Sequence, residues 1–400
     1  MWKIEGEDYD LTNFINEHPG GKLPIESMKG EECSQLLIQY HTNINSTLNY
    51  LQKYKINKNV EHKTQLTSKG FYKDLQEVVK TKIGTKRCDY YWDTKSLLGF
   101  LGTGMPIYLL FFYLTFNVND FFGIPLGITW TMFNGRILHE ASHRTMFRNK
   151  YVNRLFEFIY HPPLSIPFLW HYQHNVSHHS FTNDSIKDVD TGYIRQFILP
   201  LRKYKIVKYI MPFIMIFASI STSFAFSIFV PLVIMTTSSY IFTLNVPKIC
   251  YSELVTYILV NSLIIHQSSL LAWVLMNISS SIWFVFWSQL SHLHSDNIDN
   301  IKSYELADNY LDVWAKNQVE SATNYMTNSW LHYYMSFGLT YQIEHHLFPY
   351  ISQGKYYLIT DDIERVCKAH GVKYTRINNM GPLLYSVWKS LTEMPEIKMD

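Results

Sequence analysis

No Asp, Glu, Lys or Arg occurs between Ser96 and Asn119. This uncharged run of 24 residues makes a helix about 36 Å long, against a hydrocarbon core of about 30 Å. Phe121 to Gly135 continues as a second apolar stretch, ended by Arg136, and Tyr209–Pro247 and Leu254–Ser295 are again uncharged. One charge at mid-bilayer costs about 2.5–3.5 kcal/mol on insertion scales, so gaps of this length are selected rather than accidental. Buried helices of a water-soluble core have no need of such runs. The chain is therefore expected to be an integral membrane protein. Its aromatic residues, 16% of the total, suit membrane interfaces.

Positive charge sets the expected orientation. A hairpin of spans over about 97–116 and 121–138 is followed by Arg136, Arg144, Arg148 and Lys150, which places that end in the cytosol. Arg202, Lys203, Lys205 and Lys208 point to the cytosolic face again. Two further spans are expected over about 253–270 and 271–290, with 209–245 lying at least partly in the membrane surface. The charged tail after Phe348 and the polar N-terminal region then both face the cytosol. The opening residues contain no apolar signal-peptide core, so no cleaved leader is expected. A net charge of +2 and the lack of a dense basic run speak against nucleic acid as a partner. Cys33, Cys88, Cys250 and Cys367 are scattered without metal-type spacing and are expected to be reduced thiols.

Three histidine clusters border these stretches: His139-Glu-Ala-Ser-His143, His174-Asn-Val-Ser-His178-His179 and Gln342-Ile-Glu-His345-His346. On a helix, residues three or four apart share a face. That spacing pairs His139 with His143, pairs His174 with His178 while turning His179 about 100° away, and puts Gln342, His345 and His346 together. A lone histidine here would be a packing or surface residue. Seven imidazoles in three such clusters exceed the needs of one metal ion and suit two, of iron, copper or zinc.

The N-terminal segment reads Tyr9-Asp-Leu-Thr-Asn-Phe-Ile-Asn-Glu-His18-Pro19-Gly20-Gly21, with His41 23 residues after His18. It resembles a cytochrome b5-like domain, whose haem b is held by the histidine of His-Pro-Gly-Gly and one from a later helix. The resemblance implies His18 and His41 as axial ligands. Two axial imidazoles leave the iron no open position, so such a haem passes electrons.

Trp170-His-Tyr-Gln-His174-Asn-Val-Ser-His178-His179-Ser-Phe-Thr-Asn183, Asp312-Val-Trp-Ala-Lys-Asn-Gln318 and Gly338-Leu-Thr-Tyr-Gln342-Ile-Glu-His345-His346-Leu-Phe-Pro349 extend the likeness. With the haem module, the chain resembles membrane fatty acid desaturases of the cytochrome b5-fused front-end class. Gln342, where other desaturases carry histidine, marks that class. The first cluster departs from the family's His-Asp-x-Gly-His, with Glu140 for Asp and Ser142 for Gly.

The resemblance implies a small α+β cytochrome b5-like domain over 1–60, a linker over 61–95, and a mainly α-helical membrane domain over 96–400. That domain would have four transmembrane helices, interfacial helices and a cytosolic histidine-rich cap. Two non-haem irons would be held by His139, His143, His174, His178, His179, His292, His345 and His346, together with Gln342. Gln342, His345 and His346 are the expected catalytic group, and His294 is the alternative to His292. The implied reaction is O2-dependent insertion of a cis double bond between an existing one and the carboxyl end of a long-chain acyl group. Acyl-CoA or phospholipid-bound chains would be the substrate, membrane lipid the surroundings, cytochrome b5 reductase the electron source and the endoplasmic reticulum the location.

A sphingoid-base desaturase or a lipid hydroxylase uses the same scaffold, and a non-catalytic haem carrier keeps only the first module. His139-Glu140-x-x-His143 is also the zinc-protease sequence, with Glu140 as base. A catalytic zinc takes three protein ligands and keeps one position open, which would idle most of the other cluster groups. Of the remaining histidines, His62 and His370 read as solvated, and His161, His171, His266 and His332 as interface or packing residues.

Overall fold

The computed structural model describes residues 1–57, 66–160, 166–224, 240–241, 244–245, 251–294 and 309–393. His62, His161, Cys250 and most of the stretch after Phe224 that was expected to lie in the membrane surface fall outside these residues.

The chain opens with an antiparallel hairpin, Trp2–Ile4 against Glu7–Tyr9. Glu5 and Gly6 turn it with positive φ of 54° and 77°, the two-residue turn that matches strand twist. Alternation sends Trp2 and Ile4 inward, onto short helices over Leu23–Ser27, Ser34–Tyr40 and Ile44–Leu51. Asn43 caps the last of these by accepting from the Ser46 amide at 3.0 Å.

This small module does not stand apart. Its core is continuous with that of the histidine-bearing region: Trp2 and Ile38 belong to the same buried cluster as Trp314, Ile343 and Tyr356. Polar ties cross as well. Glu5 accepts from the Leu66 amide at 2.8 Å, and Lys187 lies 3.6 Å from Glu31. Asp312 accepts from the Lys69 and Tyr72 amides at 2.6 and 2.8 Å and from the Ser68 hydroxyl at 2.6 Å. It thereby anchors the start of helix Phe71–Lys82.

The apolar runs form helices. Thr94–Gly99, a π turn over Phe100–Gly104 and Met105–Asn117 follow one another without a break. Gly123–Trp130, a second π turn over Thr131–Gly135 and Arg136–Ser142 do the same. Val207–Phe224, Tyr251–Gln267 and Leu270–Leu290 follow. Among the described residues two helices are long and apolar enough to cross a membrane, Arg87–Asn117 and Leu270–Leu290. Only 12% of the apolar window of the first is buried in the protein, against 44% for the second, so the first turns its side chains outward. The other two expected spans meet the test less well for physical reasons. One carries Arg136 and Glu140 in its final turns. The other has 17 residues, about 26 Å of helix, and stops at Gln267, where Ser269 begins the next helix by accepting from the Ala272 amide.

A stripe of small residues lets two of these helices touch. Gly123 and Gly127 face Ala272 and Met276, and Thr131 bonds Ser280 at 2.6 Å between hydroxyls. A Cβ on Gly127 would lie 2.2 Å from the Met276 carbonyl oxygen, so the backbones themselves would have to part. Gly127→Ala is therefore expected to destabilise the protein by about 1–3 kcal/mol, whereas Gly102→Ala, with nothing within 4 Å, is not. Thermal unfolding in detergent checks this; equal melting temperatures for the two variants would contradict the close-packed stripe.

Candidate metal centre and haem pocket

His18 lies in the turn before helix Leu23–Ser27, and His41 directly follows helix Ser34–Tyr40. Their ring centroids are 6.2 Å apart. His18 Nδ1 donates to the Gly21 carbonyl at 2.8 Å and His41 Nδ1 to the Leu37 carbonyl at 2.9 Å. Each ring thus has its tautomer fixed and its Nε2 lone pair free for a metal. Burial holds both pKa values below the ordinary histidine range, which keeps them neutral. Gly20 is required for the approach: a Cβ there would sit 2.9 Å from the His18 ring. Both rings line a cavity of about 780 Å³. Apolar Leu36, Leu37 and Phe147 and basic Arg87, Arg144 and Lys150 also line it. That lining fits a flat apolar group with an anionic edge, as haem is.

The three clusters meet in the fold. His139, His143, His174 and His345 each offer one ring nitrogen, all within 4.8 Å of one another, and His178, His292 and His346 form a second such group. His179 sits between them, its ring centroid 4.5 Å from that of His345 and 4.8 Å from that of His346. Gln342 brings its side-chain amide to 3.1 Å from both His292 Nε2 and His346 Nε2. His292, and not His294, joins the second group.

Two local geometries differ from the helical-wheel expectation. The segment His171–His178 is a π-helix, whose wider turn brings residues five apart together. His174 and His179 therefore share a face, with 3.3 Å between their Nε2 atoms, and His178 turns to the other group. In helix Gln342–Leu347, Gln342 and His346 point one way while His345 points to the first group. One short helix thus serves both groups.

Seven of the eight imidazoles have Nδ1 within reach of a fixed partner. His139 meets the Gln353 amide at 2.8 Å and His143 the Tyr40 hydroxyl at 3.2 Å. His174 meets Asp190 at 3.2 Å and His178 both oxygens of Asp188 at 3.1 Å. His292 meets the Ser321 carbonyl at 3.3 Å, His345 the Tyr356 hydroxyl at 3.5 Å and His346 the Thr182 hydroxyl at 3.2 Å. Partners of this kind orient metal-ligating histidines. Burial, and then neighbouring imidazoles, hold His179, His345 and His346 well below the ordinary histidine pKa. They are neutral and carry available lone pairs at neutral pH. His143 Nε2, His345 Nε2 and Gln342 Oε1 are buried with no hydrogen-bond partner among the described residues. Such orphaned atoms converging on one place fit bound metal ions.

Sequence reasoning missed Asp188, Asp190, Gln353 and Tyr40. The run Lys187-Asp-Val-Asp190 after the second cluster held a signal, since two carboxylates close to a histidine cluster can reach its ring nitrogens. Burial alone would raise Asp188, but His178, Thr191 and the Asn183 amide hold its carboxyl below the usual range. His178 moves the opposite way: burial lowers it, and the facing Asp188 more than offsets that.

The protease reading fails on Glu140. Its carboxylate accepts from the Ser352 hydroxyl at 3.0 Å, the Gln353 amide at 2.8 Å and the Thr145 hydroxyl. That carboxylate is spent on holding the chain around Gln353 and is no free base beside a metal. Among the other histidines, His370 is exposed, as the sequence suggested, and lies 2.8 Å from Asp74. His171 is buried, and neither of its ring nitrogens has a hydrogen-bond partner among the described residues.

Residues 97–378 match the profile of the family described as Fatty acid desaturase, and residues 1–59 match Cytochrome b5-like Heme/Steroid binding domain. The chain belongs to the fatty acid desaturase family. It is similar to a Probable Delta(5) fatty acid desaturase C of Dictyostelium discoideum, at 25% identity over 98% of this chain and 90% of the relative. An Acyl-lipid (9-3)-desaturase of Borago officinalis is 24% identical over 94% of this chain and 86% of its own length. An Acyl-lipid (8-3)-desaturase of Physcomitrium patens is 25% identical over 93% and 83%. No solved structure matches the desaturase. Its two domains make it a haem-linked oxidoreductase that takes electrons through haem, uses iron and dioxygen, and acts on fatty acyl chains.

Proposed function

We propose that this desaturase is a front-end enzyme. It inserts a cis double bond between an existing double bond and the carboxyl end of a long-chain unsaturated acyl group. The observation that carries the reading is Gln342, whose amide faces His292 and His346 inside a cluster of eight imidazoles. The relatives' names support acyl-lipid chemistry and differ among themselves in double-bond position. An acyl-lipid substrate is therefore favoured over acyl-CoA or a sphingoid base. His139, His143, His174, His179 and His345 are assigned to one iron, and His178, His292 and His346 to the other, with Gln342 beside the second.

Unactivated C–H bonds lie beyond the reach of any side-chain acid or base, and iron with dioxygen supplies the oxidising power. Two electrons come from the substrate and two through the haem, so that one O2 leaves as two waters. The protein's part is placement. Asp188, Asp190, Gln353 and Thr182 hold the imidazole planes, and burial keeps bulk water from the histidines. Chain-length selection rests on the shape of the acyl site, because one methylene is worth only about 0.8 kcal/mol of burial.

The proposed architecture is a haem module over 1–60, a linker over 61–95 and a membrane domain over 96–400. Its four spans leave both termini and the histidines in the cytosol. The endoplasmic reticulum and a cytochrome b5 reductase complete the setting. Expression in yeast fed polyunsaturated acids, with lipids analysed by mass spectrometry, tests the activity. The expected product is two mass units lighter, with its new double bond on the carboxyl side. A hydroxylated product, or a new bond on the methyl side, would overturn the front-end reading. His41→Ala is expected to remove the low-spin bis-imidazole haem spectrum from the purified protein. An unchanged Soret band would refute the axial pair.

A further inference from the structure

Three consecutive residues at the end of helix Ser34–Tyr40 touch both redox centres. Gln39 donates its side-chain amide to the main-chain carbonyl of His179, a carbonyl that Gln318 also reaches at 3.3 Å. The Tyr40 hydroxyl lies 3.2 Å from His143 Nδ1 and 3.4 Å from the Asn175 carbonyl. The Tyr40 and His143 rings are stacked, 6.1 Å between centroids at 17°. His41, the next residue, faces His18 across the haem cavity. That cavity is lined by His41, Tyr40 and His143 alike. His143 Nε2 points into the metal cluster with no hydrogen-bond partner among the described residues, and its Nδ1 meets both the Tyr40 hydroxyl at 3.2 Å and the Asn175 side-chain amide at 3.3 Å, while the Tyr40 hydroxyl donates to the Asn175 carbonyl.

We infer that Gln39-Tyr40-His41 is the built-in electron route between the haem and the non-haem irons, with Tyr40 as its positioning residue. The inference rests on the desaturase reading above. Each transfer moves one electron: ferrous haem becomes ferric, and a ferric ion at the His143 group becomes ferrous. Tyr40 keeps its proton and its closed shell throughout. Its bond to His143 shortens the through-space gap and fixes the ligand ring. The contacts from Gln39 and Gln318 to His179 hold the haem module in register, so electrons need no diffusive encounter between domains.

The test follows onward transfer directly, in full-length protein loaded with haem and iron. A flash-generated flavin radical reduces the haem anaerobically, and the decay of its ferrous band is recorded. The wild type should decay at a rate independent of protein concentration. Tyr40→Phe keeps the stacked ring and should retain haem and iron. It should decay about tenfold more slowly, the low end for losing a partner of a metal-ligating histidine. Gln39→Leu should also slow the decay, and a control at exposed Tyr151, Tyr151→Phe, should not. An unchanged decay rate in iron-loaded Tyr40→Phe overturns the route. So does a variant that merely loses iron while its loaded fraction decays at the wild-type rate. No onward decay in the wild type would overturn both the route and the desaturase reading, whereas an unchanged Tyr40→Phe overturns only the route.

Discussion

Gln342→Ile is expected to abolish desaturation while protein level and haem content hold. The wild-type amide offers two polar atoms. One lies 3.1 Å from the Nε2 atoms of both His292 and His346, and Oε1 is buried with no hydrogen-bond partner among the described residues. Isoleucine fills the volume and offers neither. Gln342→His should also lower conversion strongly. An imidazole binds iron more tightly than an amide oxygen and cannot present the same pair of groups. The readout is product lipid per mole of haem in yeast membranes. Near wild-type conversion by Gln342→Ile would make Gln342 a packing residue and remove the main support for the front-end reading.

The second large effect falls on His178. Its ring centroid lies 4.7 Å from that of His292 and 4.9 Å from that of His346. Its Nδ1 is clamped by Asp188. His178→Ala removes one of the three imidazoles of its group, so that iron should be lost and activity with it. Asp188→Asn is expected to be milder, with metal affinity or activity down about 10–100-fold, because the ligand stays but its orientation and basicity change. Iron analysis and product yield separate the two. Full iron content in His178→Ala would remove His178 from the ligand set.

Much of this centre was legible in the chain itself. The histidines that converge are close in sequence within each cluster, and local spacing is what a sequence displays. Its limits lie where geometry is non-local or departs from the α-helical period. The π-helix of His171–His178 exchanges the expected partners of His178 and His179, and apolar periodicity carries no mark of it. Gln353 reaches His139 from 214 positions away, and Tyr40 reaches His143 from 103. Tertiary packing alone makes those pairs. Glu140 resembled a protease base because the five residues His139–His143 cannot show that Ser352 and Gln353 occupy its carboxylate. The long apolar helices were legible as uncharged runs. Their ends were less so, since the helix of His139 runs on to Ser142 and Ser269 resets the chain three residues after His266. His292 was singled out by the family resemblance, which places an extra histidine after the last span, and it lies with His178 and His346.

The central claim is that these histidines hold two irons beside a haem on the same chain. Metal and haem analysis of the purified full-length protein tests it most directly. About two non-haem irons and one haem per chain are expected, by the two-metal logic of the clustered ligands. One zinc per chain, with a peptidase activity lost in Glu140→Gln, would contradict it.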